Sequence, residues 1–294
     1  MKNPIFEKEK AVMFRSNQYI LTIIITNIIL AVVGSITLLL IVDNVNNLLE
    51  LNYATLLNQN FMIVFAECII VVFIVPAQTA GAVAGEMEQK TFDLLLVTGI
   101  RPADIIIGKL QAAIMKMYTL ILSTLPVLSL FFIYGGINLT DLVVILLLLM
   151  VIALYIGSIG VYYSTITKRS LVAMVYSYVS VFFLTIGTLL CNVAIFALDR
   201  LMEKHDIIYS FLASKSVVYL LLLNPLVTFY VYIQQQIGDP YAMYNFVNQY
   251  VAIENNFVFD YWIVISIGMQ ILFTALYLYL ATKNIDPLAK KIKR

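Results

Sequence analysis

Apolar residues along this chain gather into six runs, approximately Tyr19 to Val42, Phe61 to Ala80, Ile105 to Tyr134, Leu142 to Tyr163, Leu171 to Leu198 and Tyr261 to Ala281. A hydrocarbon core about 30 Å thick takes roughly 20 helical residues and offers no water to exposed backbone groups, so each run predicts a transmembrane helix. The first run is too long for a signal-peptide core and lacks a small-residue cleavage site, which predicts a retained span. Between runs five and six lies a polar connection, 199–260, holding two shorter apolar pieces, Val217 to Leu223 and Leu226 to Ile233, joined by Asn224-Pro225. Proline removes a helical N–H and restricts the residue before it. The pieces therefore predict a re-entrant or interfacial helical hairpin, not a seventh span, and a connection of this length is expected to carry structure or function of its own. Ahead of the first run, PIFEKEKAVMFRS sets Ile5-Phe6 and Val12-Met13 one heptad apart, with Glu7, Lys8, Glu9 and Lys10 between them. That spacing suits a short amphipathic helix at the membrane surface within residues 1–18; a solvated basic leader is the alternative.

Composition agrees with an all-α membrane protein. Of 294 residues 62% are hydrophobic and 12% charged, too little polar surface to cover a water-soluble globule of this size. The formal net charge is +1, and no basic block alternates with aromatics, so nucleic acid is set aside. Cys68 and Cys191 lie inside apolar runs and His205 is the sole histidine, which gives neither a disulfide framework nor a metal-ligand spacing. Fifteen of the eighteen Lys and Arg residues fall at the two termini, in the connections after runs two and four, and in the first turns of run three that adjoin the former (Lys109 and Lys116). The positive-inside bias then places both termini in the cytoplasm, together with the connection after run two.

That connection contains GEMEQKTFDLLLVTGIRPADIIIGKL, residues 85–110, an unusual density of charge for so apolar a chain. Glu86 and Glu88 suit a helix N-terminus, Gly99 a helix end, and Pro102 with Asp104 the first turn of the next helix. Phe92, Leu95 and Leu96 follow helical spacing and predict an apolar face for a partner, with Glu86, Glu88 and Lys90 as rim charges that set orientation. Gly108-Lys109 is not a phosphate loop. The Walker pattern needs Gly at 103 and Ser or Thr after the lysine, and those positions hold Ala103 and Leu110.

The stretch AGAVAGEMEQKTFDLLLVTGIRPADIIIGKL, the proline-bearing LSTLPVL that follows, Gly135-Gly136, and the opening NPIFEKE with Arg15 together resemble the permease subunit of type 2 ATP-binding cassette exporters. The resemblance covers the whole chain, 1–294, as one permease domain. It implies a coupling helix in the connection after span two that docks on a separate cytoplasmic ATPase subunit, and a second permease chain, identical or related, paired with this one in a bacterial plasma membrane. ATP and Mg would be bound by the partner subunit, with no cofactor or catalytic site in this chain. By matching positions the resemblance points to Glu86, Glu88, Thr91, Leu94, Leu95, Thr98, Gly108 and Lys109, and the same charged, amphipathic segment adds Lys90, Phe92, Leu96 and Arg101 to the expected coupling residues.

Glu67 is the carboxylate deepest in a predicted span. An acid at a helix centre costs about 2.5 to 3.5 kcal/mol on insertion scales, so it is expected to be neutral, paired or facing a wet cavity. One reading places it on the transport path. The other gives it a neighbouring polar partner, with Asn27 the candidate. Asn138-Leu139-Thr140 matches a glycosylation sequon, but its place at a span start favours helix capping. Two other classes stay open: a secondary transporter driven by an ion gradient with Glu67 as the coupling acid, and a non-transporting scaffold that recruits a partner.

Overall fold

The computed structural model describes residues 4–13, 15–48, 53–92, 97, 101–135, 139–202, 217–248 and 256–285. Among the described residues every regular element is helical. In chain order they are α1 (Pro4–Met13), α2 (Asn17–Leu48), α3 (Tyr53–Thr79), α4 (Gly81–Glu88), α5 (Pro102–Gly135), α6 (Leu139–Ile166), α7 (Ser170–Phe182), a π turn (Phe183–Gly187), α8 (Thr188–Met202), a 3-10 turn (Tyr219–Leu223), α9 (Pro225–Ile237), α10 (Ala242–Asn248), α11 (Phe257–Asp260) and α12 (Trp262–Ile285). Among the described residues six stretches are long and apolar enough to cross a membrane: Tyr19–Leu40, Phe61–Glu88, Ala103–Ser129, Thr140–Ile166, Ser170–Leu198 and Trp262–Ile285. All six correspond to the apolar runs of the sequence, and the leader forms the helix α1.

The chain forms two compact units, one comprising Met1–Tyr178 with Phe273–Arg294, the other Val179–Leu272. In the first unit α3 packs along α6, with Gly160 of α6 set directly against Thr79 at the end of α3. A Cβ built on Gly160 would lie 1.9 Å from Thr79 Oγ1, 2.9 Å from Thr79 Cβ and 3.3 Å from the backbone nitrogen of Ala80. Nothing larger than hydrogen fits there. Gly160→Ala is therefore expected to force the two helices apart and destabilise the chain by about 1–3 kcal/mol, the usual cost of overpacking. Thermal melting in detergent checks this, and Thr79→Ala in the same chain should recover part of the loss by removing the nearest clashing atom.

The second span differs from its sequence expectation. Instead of ending at Ala80 it continues as α4 to Glu88 after a break at Ala80. A break leaves amide groups of the new first turn without partners in the helix. Here Ser164 of α6 supplies them, its Oγ accepting from Val83 N and Ala84 N, both at 2.8 Å. The consequence is a change of sign for one expectation: Glu86 and Glu88 stand in the last turn of a helix, not the first.

In the second unit the Asn224-Pro225 break is present as expected. Asn224 is extended (φ −85°, ψ 110°), Pro225 occupies the first turn of α9, and Gly238 ends that helix in the left-handed region at φ 105°. Trp262, Phe259, Phe196 and Val231 belong to one buried apolar cluster that includes the apolar side of α9. Residues 203–216 and 249–255 of this connection, His205 among them, lie outside the described residues, as does Asn138 of the sequon.

Candidate functional site

The segment singled out by its charge begins where α4 stops. Thr91 N donates to Glu86 O at 2.9 Å and Lys90 N to Met87 O at 3.2 Å. This pair of bonds closes a helix C-terminus when the residue after the cap turns left-handed, a place usually given to glycine. Lys90 fills it with φ 59°. The side chains of Lys90 and Thr91 are exposed, as are those of Val97 and Arg101. Leu94, Leu95, Leu96 and Thr98 lie outside the described residues, as does Gly99. Pro102 and Asp104 open α5 as the sequence predicts.

Two anchors hold this segment to the first unit. The first is Phe92. It was expected on a face offered to a partner, but its side chain is only 6% exposed and sits in a buried cluster with Ile5 of α1, Val83 of α4, and Ile105, Ile106 and Leu110 of α5. Its apolar ring is satisfied within the chain, so it fixes the segment in place and adds no docking area.

The second anchor is ionic. Lys109 of α5 is 3% exposed, and its Nζ lies 2.8 Å from Glu86 Oε1 and 3.4 Å from Glu9 Oε1. An ammonium taken this far out of water is tolerable only when paired and hydrogen-bonded. Glu86, 16% exposed, is thus no rim charge: it neutralises a buried lysine. The three residues come from α1, α4 and α5 and bind the amphipathic helix, the end of span two and the start of span three at one point. Lys109, already excluded from a phosphate loop by its sequence context, is held here between two carboxylates.

Glu88 makes a third link. Its Oε2 accepts from Ser170 Oγ at 2.8 Å and from Ser170 N at 3.1 Å. That carboxylate caps the N-terminus of α7, where unpaired amides and the helix dipole favour negative charge. The connection after span four is thereby tied to the one after span two. Glu9, Ile5, Ser164 and Ser170 were not expected in this site. They lie 80 to 100 residues from their partners, and no local pattern marks a serine or a leader glutamate as a long-range partner.

Glu67 stands apart from this cluster. It is completely buried, and its carboxylate pairs with Thr124 of α5, whose Oγ1 lies 2.5 Å from Glu67 Oε1. Asn27, the expected partner, instead donates to Ser123 Oγ at 3.0 Å and to Ile23 O at 2.9 Å. The two polar pairs sit side by side because Ser123 and Thr124 are neighbours on α5, and helix geometry points them about 100° apart. Glu67 Oε2 has no partner among the described residues. Glu67→Gln keeps the shape and the Thr124 contact and removes the ionisable group. Its expected effect on melting in detergent is within about 1 kcal/mol, the scale of one exchanged hydrogen bond. A larger loss would show that the acid itself is required for packing.

No curated protein matches the chain. A family model described as ABC-2 family transporter protein matches residues 3–281, and this multi-pass membrane protein, with six apolar spans among its described residues, belongs to that family.

Proposed function

We propose that this chain is the membrane-spanning permease subunit of an ATP-driven exporter, and that residues 86–109 form its joint to a separate ATP-binding subunit. Membership of the family implies transport in the membrane and association with ATP-binding cassette subunits. The observation that supports the joint is the double anchoring of one charged segment by Phe92 and by the Glu9–Lys109–Glu86 cluster. A load on the segment reaches the start of α5 directly, because parting Lys109 from its carboxylates would leave buried charge unpaired. The exposed residues Lys90, Thr91, Val97 and Arg101 form part of the surface offered to the ATPase subunit; Leu94, Leu95, Leu96 and Thr98 remain coupling residues in this proposal on the resemblance alone. Glu86, Phe92 and Lys109 fix that surface to the spans, and Glu88 ties it to α7.

On this reading the termini and the segment face the cytoplasm, two permease chains pair, and ATP with its Mg stays on the partner subunits. Glu67 belongs to the packing between α3 and α5: a fully buried acid bonded to Thr124 is a poor contact for a moving solute. The test is isolation of the native complex in mild detergent, with identification of its co-purifying chains. An ATP-binding polypeptide is expected, one whose hydrolysis rate changes when this chain is removed. A native complex without any such polypeptide, or robust hydrolysis by the verified single chain, would end the proposal.

A further inference from the structure

Span five does not run as one α-helix. Between α7 and α8, residues Phe183–Gly187 wind as a π turn, with Thr188 N donating back five residues to Phe183 O. A π turn holds one residue more than an α turn and interrupts the regular ladder, so it persists where something outside the helix supports it. The support here is Asn224. Its Nδ2 donates to Thr185 O at 2.7 Å and to Thr188 Oγ1 at 2.9 Å, while its Oδ1 accepts from Leu226 N at 3.0 Å and Val227 N at 3.3 Å. An asparagine side chain carries two N–H donors and one oxygen with two lone pairs, so every hydrogen-bonding position of this fully buried residue is used. One end of the side chain caps α9 and the other grips the π turn. The same hairpin is also tied to α12. Thr228 Oγ1 and Ser266 Oγ lie 2.5 Å apart, and Ser266 Oγ donates to Leu222 O at 2.6 Å.

We propose that Asn224 and the Phe183–Gly187 turn form a latch with two registers. With the hairpin seated, the amide holds Thr185 O and the π turn persists. When the hairpin lifts, that carbonyl loses Asn224, its donor from outside the helix, keeps the Thr188 Oγ1 contact at 3.0 Å, and takes an amide of its own helix, so the turn re-forms as α-helix. The turn then accommodates one residue less of slack, and residues from Leu189 onward rotate by one helical step, about 100°, relative to the turn that precedes them. A displacement of the hairpin thus becomes a rotation of the second half of span five. Asn192 gives the second register something to gain. It is buried in the present packing and donates to Thr188 O at 2.8 Å, but its Oδ1 has no partner among the described residues. A buried unpaired carbonyl disfavours the arrangement that contains it, and rotation re-aims that group.

The test is a nitroxide scan from Thr188 to Leu198 in lipid nanodiscs, read as oxygen accessibility, on a background with Cys68 and Cys191 replaced. It requires neither partner subunit nor substrate, so its failure would leave the permease reading intact. The native chain should show accessibility minima at the buried positions Asn192 and Phe196. Asn224→Ser keeps a capping oxygen and removes both amide donors. The minima should then move one residue toward the N-terminus, to Cys191 and Ile195. Minima that stay at Asn192 and Phe196 overturn the latch. Deleting Ile186, which is exposed, removes the extra residue of the turn. Minima should then remain on Asn192 and Phe196, with or without Asn224→Ser. Minima displaced to Val193 and Ala197 in the deletion would mean that the π turn is intrinsic to this stretch, which also overturns the proposal. If Asn224→Ser alone does not fold, the latch requires that the Ile186 deletion restore it, and a double variant equally unfolded sinks it.

Discussion

Lys109→Ala is expected to destabilise the chain by about 3–5 kcal/mol, because it leaves Glu86 and Glu9 facing one another without the cation that brought them together. The effect should depend little on salt, since a pair this far from solvent is weakly screened. Lys109→Arg should not substitute cleanly, since a planar fork does not occupy the place of a compact ammonium. The informative comparison is the triple replacement Lys109→Met, Glu86→Gln, Glu9→Gln, which removes all three charges at once. It should recover most of the lost stability in detergent melts while leaving the segment less firmly fixed to α5. If the single Lys109→Ala chain melts within about 1 kcal/mol of the native one, the cluster is a surface pairing of ordinary weight, and the ionic anchor is wrong.

Phe92→Ala is the second large effect, about 3 kcal/mol by the usual cost of truncating a buried aromatic. Its expected form is local. The ring joins the charged segment to Ile5, Ile105 and Ile106, so its loss should detach the segment before it unfolds the spans. Limited proteolysis between Lys90 and Arg101 should therefore accelerate more than global melting falls. Phe92→Leu, which keeps most of the apolar volume, should cost less than about 1.5 kcal/mol. Ile5→Ala should combine with Phe92→Ala by less than the sum, as residues sharing one cluster do. Unchanged proteolysis in Phe92→Ala would show that the segment is held by its ionic contacts alone. Loss of the co-purifying ATPase subunit in the same variant is the functional counterpart, and on the present geometry it would arise from a misplaced docking surface, since the ring itself is covered.

The spans were legible because their cause is local. A run of about 20 apolar residues has one stable solution in hydrocarbon, whatever lies beside it, and Asn224-Pro225 breaks a helix by the chemistry of the proline ring. Pro102 with Asp104 marked the start of α5 for a similar reason. The charged segment could be found from composition contrast, since charge is costly next to apolar spans and collects where it is needed.

What the charges do was decided by tertiary structure. Glu86 reads as a helix N-terminal residue and rim charge. It becomes the partner of a buried lysine because α3 does not stop at Ala80 but resumes as α4, with Ser164 on α6 accepting its orphan amides. Phe92 reads as part of an exposed stripe and is buried, since α1 and α5 present Ile5, Ile105 and Ile106 to it. Glu67 bonds to Thr124 and not to Asn27 because helix packing brings α3 against α5 at that depth. Hydrophobic periodicity records which residues avoid water within one helix, and by that physics sequence alone determined the six apolar spans. The pairings of Lys109 with Glu9, Ser170 with Glu88 and Asn224 with Thr185 join residues 39 to 100 positions apart, and only the packing of helices against one another brings such groups within hydrogen-bonding distance.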